Sequence, residues 1–147
     1  MSGSSGEEMK KQGDQSLLDD FRQAVEQGLV EQVEELLDQG VALDSDFGGG
    51  VTPLHMACQE GQAEVVRLLL ARGADLKAMT VAGWTVFHVV ALTGNEEIAR
   101  LLLEQGPVPD LVTVQGHTPV ELAKVHQRKE VQALFAKSLN KGWRLWK

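Results

Sequence analysis

Few side chains in this chain could do chemistry. His55 and Cys58 lie three residues apart, a spacing that puts an imidazole and a thiol on nearly one face of a helix, so a thiolate–imidazole nucleophile is the first reaction to weigh. Such a pair needs an orienting third group and an electropositive pocket to lower the thiol pKa, and the sequence offers no constellation for either. His55, His88, His117 and His126 are the possible metal ligands. The run Gly48-Gly49-Gly50 could approach a phosphate, but it lacks the lysine and the serine or threonine that follow in a phosphate-binding loop. The expectation is a protein that is not an enzyme, with no catalytic residues, no metal and no cofactor.

The elements that carry these residues repeat. Shifting the sequence by 33 residues superposes Gly50, Gly83 and Gly116, and likewise Thr52, Thr85 and Thr118. Two further glycine series, Gly28/Gly61/Gly94 and Gly40/Gly73/Gly106, fall in the same phase, as do Val65/Ile98/Val131 and Leu36/Leu69/Leu102/Phe135. A fixed period of this length marks a stacked repeat architecture. Within a unit, Thr52 can cap a helix that Pro53 opens and Gly61 closes. A second helix carries Val65, Val66, Leu68, Leu69 and Leu70 and ends at Gly73, and an extended turn follows. One such pair cannot bury its own apolar side, so stability must come from neighbours. Stacking also bears on the histidines. His55 and His88 hold the same place in successive units, and helices roughly 8–10 Å apart cannot bring both rings within roughly 2.1 Å of one metal.

The segment Thr52-Pro53-Leu54-His55-Met56-Ala57, with the 33-residue period, resembles the ankyrin-repeat family. The resemblance implies an all-α repeat solenoid of four stacked helix-turn-helix repeats joined by hairpin turns. With it the chain divides into a leader at 1–13, tag-like or disordered by its composition, a repeat domain at 14–136 (repeats about 14–46, 47–79, 80–112 and 113–136) and a tail at 137–147, basic and Trp-containing. In this family the signature histidine makes structural hydrogen bonds near the helix start, and the Cys58 position is normally a small buried residue. Repeat one has Asp19-Asp20-Phe21 where the signature falls, which suits a solvated end cap. Repeat four replaces histidine by Glu121 and glycine by Gln127, which suits a unit packed on one side only. The hairpin at Gly106-Pro107-Val108-Pro109-Asp110 departs from the family pattern, and the Gly48-Gly49-Gly50 run makes the hairpin before repeat two the expected flexible joint.

The resemblance further implies binding through hairpin tips and the concave face. Carried over residue by residue, it places Val51, Met79, Val81, Trp84, Leu92, Thr93, Val114 and His117 at the partner site, with Ala82, Val112, Gln115 and His126 near it. The apolar members are not demanded by the fold, and an exposed apolar patch marks an interaction site. Trp84 is the expected anchor, the alternative being that it packs sideways between hairpins.

Charge is uneven. The net charge is -7, yet residues 1–46 carry -9 and residues 137–147 carry +4. An acidic body argues against nucleic acid as partner. In the tail, Leu139, Trp143 and Trp146 share one helical stripe opposite Lys137, Lys141 and Arg144. The tail either covers the end of repeat four or contacts a partner or membrane surface. The expected function is a protein–protein interaction module serving as adaptor, inhibitor or scaffold. An engineered ankyrin binder and a membrane-surface module acting through the tail are the alternatives, and self-association through the apolar face stays open. A single cysteine and the absence of a signal-like start lead to a cytoplasmic or nuclear location as the expectation.

Overall fold

The computed structural model describes the backbone of residues 2–109 and 111–145 and the side chains of 15–109 and 111–139. Among the described residues eight helices form four pairs: α1 (Ser2–Gln27) with α2 (Val30–Asp38), α3 (Pro53–Glu60) with α4 (Ala63–Ala71), α5 (Val86–Thr93) with α6 (Glu96–Gln105), and α7 (Pro119–Val125) with α8 (Lys129–Leu145). The odd-numbered helices stack in one layer and the even-numbered in another, each against its neighbours along the chain. This is the all-α solenoid expected from the repeat. The backbone of the segment set apart as a leader belongs to α1, and α8 passes residue 137 without a break.

Helix starts and stops follow the residue types. Thr52, Thr85 and Thr118 each accept the backbone N–H three residues on, at 3.2, 3.4 and 3.2 Å. Gly61 and Gly94 end α3 and α5 in the left-handed region, with φ of 73° and 75°. Gln127 holds the equivalent place after α7 and is, among the described residues, the one non-glycine with positive φ, at 57°. In the Gly28/Gly61/Gly94 series, Gly28 and Gly94 are also crowded. A Cβ on Gly28 would run into the Gln62 side chain, and one on Gly94 into Arg128. Gln62 and Arg128 reach back to cap the preceding unit's helix end, donating to the Glu26 and Leu92 carbonyls at 2.9 and 3.0 Å.

One continuous core runs through the stack, built from residues repeated once per unit. Leu36, Leu69, Leu102 and Phe135 are buried, as are Val65, Ile98 and Val131, and Phe87 meets Phe135 edge-on at 5.7 Å. The ends show which slots face a neighbour. Pro53, Val86 and Pro119 are buried, but Asp20 in the same slot is exposed; Gln32 is exposed where Val65, Ile98 and Val131 are buried. At the other end Lys124 is exposed where Val25, Cys58 and Ala91 are buried, and Gln132 is half-buried where Val33, Val66 and Ala99 are buried. Each terminal unit therefore turns a polar face to solvent where inner units turn an apolar one. Arg67 to Glu97, at 3.1 Å, and Arg72 to Asp38, at 3.0 Å, link successive outer helices at the surface, where such pairs add little.

The three hairpins are joined tip to tip. Val81 N–H donates to Gly49 O and Val114 N–H to Ala82 O, both at 2.9 Å. The triple glycine is pinned, contrary to the flexible joint expected of it. The Asp46 carboxylate accepts from the N–H of Gly48 and of Gly50 at 2.8 and 3.0 Å, and all three glycines hold positive φ. Gly50 and Gly83 stand against the next hairpin's backbone, where a Cβ would come within 3.0 Å of Thr80 Cα and 3.1 Å of Val114 N. The third hairpin leaves its helix differently. Val41 and Ala74 N–H close the ends of α2 and α4 on the Leu36 and Leu69 carbonyls. Pro107, in the same slot, has no N–H to do so, and Gly106 is extended (φ 164°). Val108 then takes the buried place, and its N–H donates to Ser138 Oγ at 3.3 Å.

Truncating Leu69 or Leu102 to alanine is expected to lower unfolding stability by about 2–5 kcal/mol, measured in denaturant. Gly83→Ala should cost more than Gly116→Ala. Both need positive φ, at 79° and 87°, but nothing lies within 4 Å of a Cβ on Gly116. Equal losses would mean that close hairpin stacking adds nothing.

Candidate functional site

The surface is positioned by a histidine device built on the threonine caps. His55 Nδ1 accepts from the Thr52 N–H at 3.2 Å and faces the Thr52 hydroxyl at 2.8 Å. Its Nε2 lies 2.8 Å from the Trp84 carbonyl, 29 residues on, so the proton sits on Nε2 and donates across to the next hairpin. His88 repeats the arrangement, with Nδ1 3.0 Å from the Thr85 nitrogen and Nε2 3.1 Å from the His117 carbonyl. Each ring thus caps its own helix and holds the following hairpin. Glu121 occupies the slot in the last unit. Its carboxylate accepts the Thr118 N–H at 3.3 Å, which completes the cap, and no fourth hairpin stands among the described residues for a second arm to reach.

Held this way, the hairpins and inner helices present apolar side chains that the fold does not use. Val81 is 82% exposed, Val114 75%, Val112 51% and Met79 50%. On the inner helices Leu92 is 38% exposed and Val125 65%. Val81 and Val114 occupy one slot on successive tips, and Leu92 and Val125 one slot on successive helices, so each pair recurs at the 33-residue period. In repeat one the helix slot holds Glu26, and in repeat two the tip and helix slots hold Gly48 and Gln59, so the apolar strip starts at the second hairpin.

The other expected site residues are spent partly on structure. Trp84 is half-buried against the core, with its ring 6.1 Å from that of His88, so it forms the strip's shoulder. Val51 and His117 are half-buried, and their carbonyls accept the N–H of Phe47 and Thr113, closing their hairpins. Thr93 Oγ donates to the Val90 carbonyl at the end of α5. Leu139 is 40% exposed, whereas the Trp143 side chain and Trp146 lie outside the described residues. Val125 was missed by sequence reasoning, although its position 33 residues after Leu92 carried the signal. Gln62 and Arg128 were missed because their partners are backbone carbonyls of another unit, which no side-chain pattern reveals.

Cys58 is fully buried, and burial pushes its thiol well above the ordinary range, so the nucleophilic thiolate does not form there. Both ring nitrogens of His55 and of His88 are engaged, and among the described residues no three His, Cys, Asp or Glu side chains stand together as metal ligands.

Two family models match the chain. One, described as ankyrin repeats in three copies, covers residues 21–80, and one for a single ankyrin repeat covers 82–114. No curated protein matches.

The two bridging histidines make stability pH-dependent. Burial lowers the pKa of both below the ordinary 6.5, only partly opposed by the carbonyl each ring contacts. As pH falls through 6.5 the unfolded chain therefore takes up protons before the folded one does. Their contribution is present above that pH and is lost below it, by up to about 1.4 kcal/mol per pH unit for each ring. Unfolding in denaturant between neutral pH and pH 5 should show this decline, and His55→Gln with His88→Gln should flatten it. An unchanged slope in the double variant would rule the two rings out as its source.

Proposed function

This chain belongs to the ankyrin-repeat family, and on that premise we propose that it is a non-enzymatic adaptor, inhibitor or scaffold that holds a protein partner on the tips of its second and third hairpins and the adjoining inner helices. Ankyrin repeats are in general protein–protein interaction modules, and the more specific role rests on the surface. The observation that carries it is the strip of Met79, Val81, Val112, Val114, Leu92 and Val125, exposed together and unused by the core. Valines on the tips of a binding-competent frame are costly to leave in water unless something covers them.

Rigidity supports the same reading. The tips are hydrogen-bonded to each other and to the histidines behind them, so docking would freeze little further backbone motion. Trp84 contributes from the side: its exposed portion extends the strip, and its buried portion fixes the hairpin.

Capture from cell extract with the wild type, compared against a Val81→Asp/Val114→Asp variant, tests the proposal. The variant should melt like the wild type and lose its specific partner, and Trp84→Ala should weaken the same partner by about 2 kcal/mol with some loss of stability. Identical capture by wild type and the aspartate variant would remove the tips from the binding site.

A further inference from the structure

The surface assigned to a partner changes character along the stack, and its two layers change together. At the hairpin tips one slot holds Asp46, Met79 and Val112, and another holds Gly48, Val81 and Val114. The inner helices stack in the order α1, α3, α5 and α7, so a slot repeated once per unit forms a row along their common face. One such row reads Glu26, Gln59, Leu92 and Val125, and the row beside it Gln27, Glu60, Thr93 and His126. Carboxylates and amides thus occupy the first half of the surface, where the second half is largely apolar.

Glu26, Asp46 and Glu60 are exposed, and none of them enters an ion pair among the described residues. Asp46 is committed to the amides of Gly48 and Gly50, which leaves Glu26 and Glu60 to meet a partner. Arg22, a cation of repeat one, borders a cleft with Asp19 and Asp46, two acids against one base. Glu60 lies one stacking step from Leu92 and Glu26 two, each step being roughly 8–10 Å. The screening length is about 8 Å at physiological salt, so these acids act on a charge placed over repeats one and two and hardly on one over Val125.

We propose that the partner segment laid along this surface is itself two-part, with apolar residues on the second and third tips and on Leu92 and Val125, and lysines or arginines over Glu26 and Glu60. This rests on the protein-binding reading above and adds the chemistry and the direction of what is bound. The two halves do different work. Burial of the valines supplies affinity without fixing where along the stack a greasy segment comes to rest. The carboxylates attract a basic flank and repel an acidic one, so they set register and speed the encounter. One stacking step takes about three residues of an extended segment, or about six of a helix, so the basic residues follow the apolar ones by that spacing.

The probe is a phage-displayed library of random peptides about 16 residues long, enough to cover two steps even as a helix, selected on the full chain. Enriched peptides should carry an apolar cluster with lysine or arginine on one side of it. Glu26→Lys/Glu60→Lys should weaken the best of them about tenfold and, in a second selection, enrich acidic residues in place of the basic ones. Binding to the wild type should also weaken with added salt. Glu26→Gln/Glu60→Gln, which removes charge without reversing it, decides the matter if the reversal lowers the melting temperature. Peptides without basic residues, or peptides lost with Val81→Asp/Val114→Asp but indifferent to both glutamate variants, would overturn this inference and leave the apolar strip standing. No enrichment, or binding indifferent to the valine variant as well, would remove the strip and the inference together.

Discussion

An imidazole that must stay neutral ties this solenoid together. His55 and His88 each accept at one nitrogen from the helix cap behind them and donate at the other to a hairpin carbonyl 29 residues ahead, so one side chain sets both the start of its own helix and the position of the next unit's hairpin. Apolar burial supplies most of the stacking free energy, but burial is non-directional and would tolerate sliding. The histidine bond has a direction and a length, and with the tip-to-tip bonds at Val81 and Val114 it fixes the rotation of one hairpin against the next. Those positions in turn bring Val81 and Val114 into line.

Much of this was legible before any coordinates. The period located every helix pair, and the Thr-Pro pairs and glycines located most starts and stops, because caps depend on neighbours a few residues away. End faces were legible in part: Asp20 was seen as solvated, and Glu121 as a sign of one-sided packing. What escaped were contacts between a side chain and another unit's backbone. The Gln62 and Arg128 caps, the Ser138 bond and the Asp46 clasp on the triple glycine all depend on where main-chain groups arrive in space. Composition suggested that three glycines in a row would be loose; a carboxylate two residues upstream decides otherwise. At the candidate site, the exposed apolar residues were identified from the slots that the frame leaves free. The half-buried state of Trp84 was the alternative and not the expected reading, since its ring packs on a histidine whose orientation is set by the next hairpin.

The end caps show a division of labour across the same template. The first unit carries Asp20, Gln32 and Glu35 at slots that are apolar in the units that follow, and the last carries Lys124 and Gln132 at the opposite slots. A repeat so closely periodic in its interior can thus vary wherever one neighbour is missing, and the sign of the variation gives the stack an acidic end and a basic end. The axis is electrically polar even though its two layers of helices are nearly regular.

Pro107 alters how the third hairpin is anchored. Elsewhere a hairpin leaves its helix through a closing main-chain bond, and the unit it belongs to holds it. Here that bond is missing and the Ser138 hydroxyl of the last helix takes up the strand at Val108, so the finger bearing Val112 and Val114 is moored to the succeeding pair. A local opening of α8 at Ser138 would release that finger while the second keeps its own mooring. Two neighbouring tips of one grip therefore open at different free energies, and the compliant one is governed from the far end of the chain.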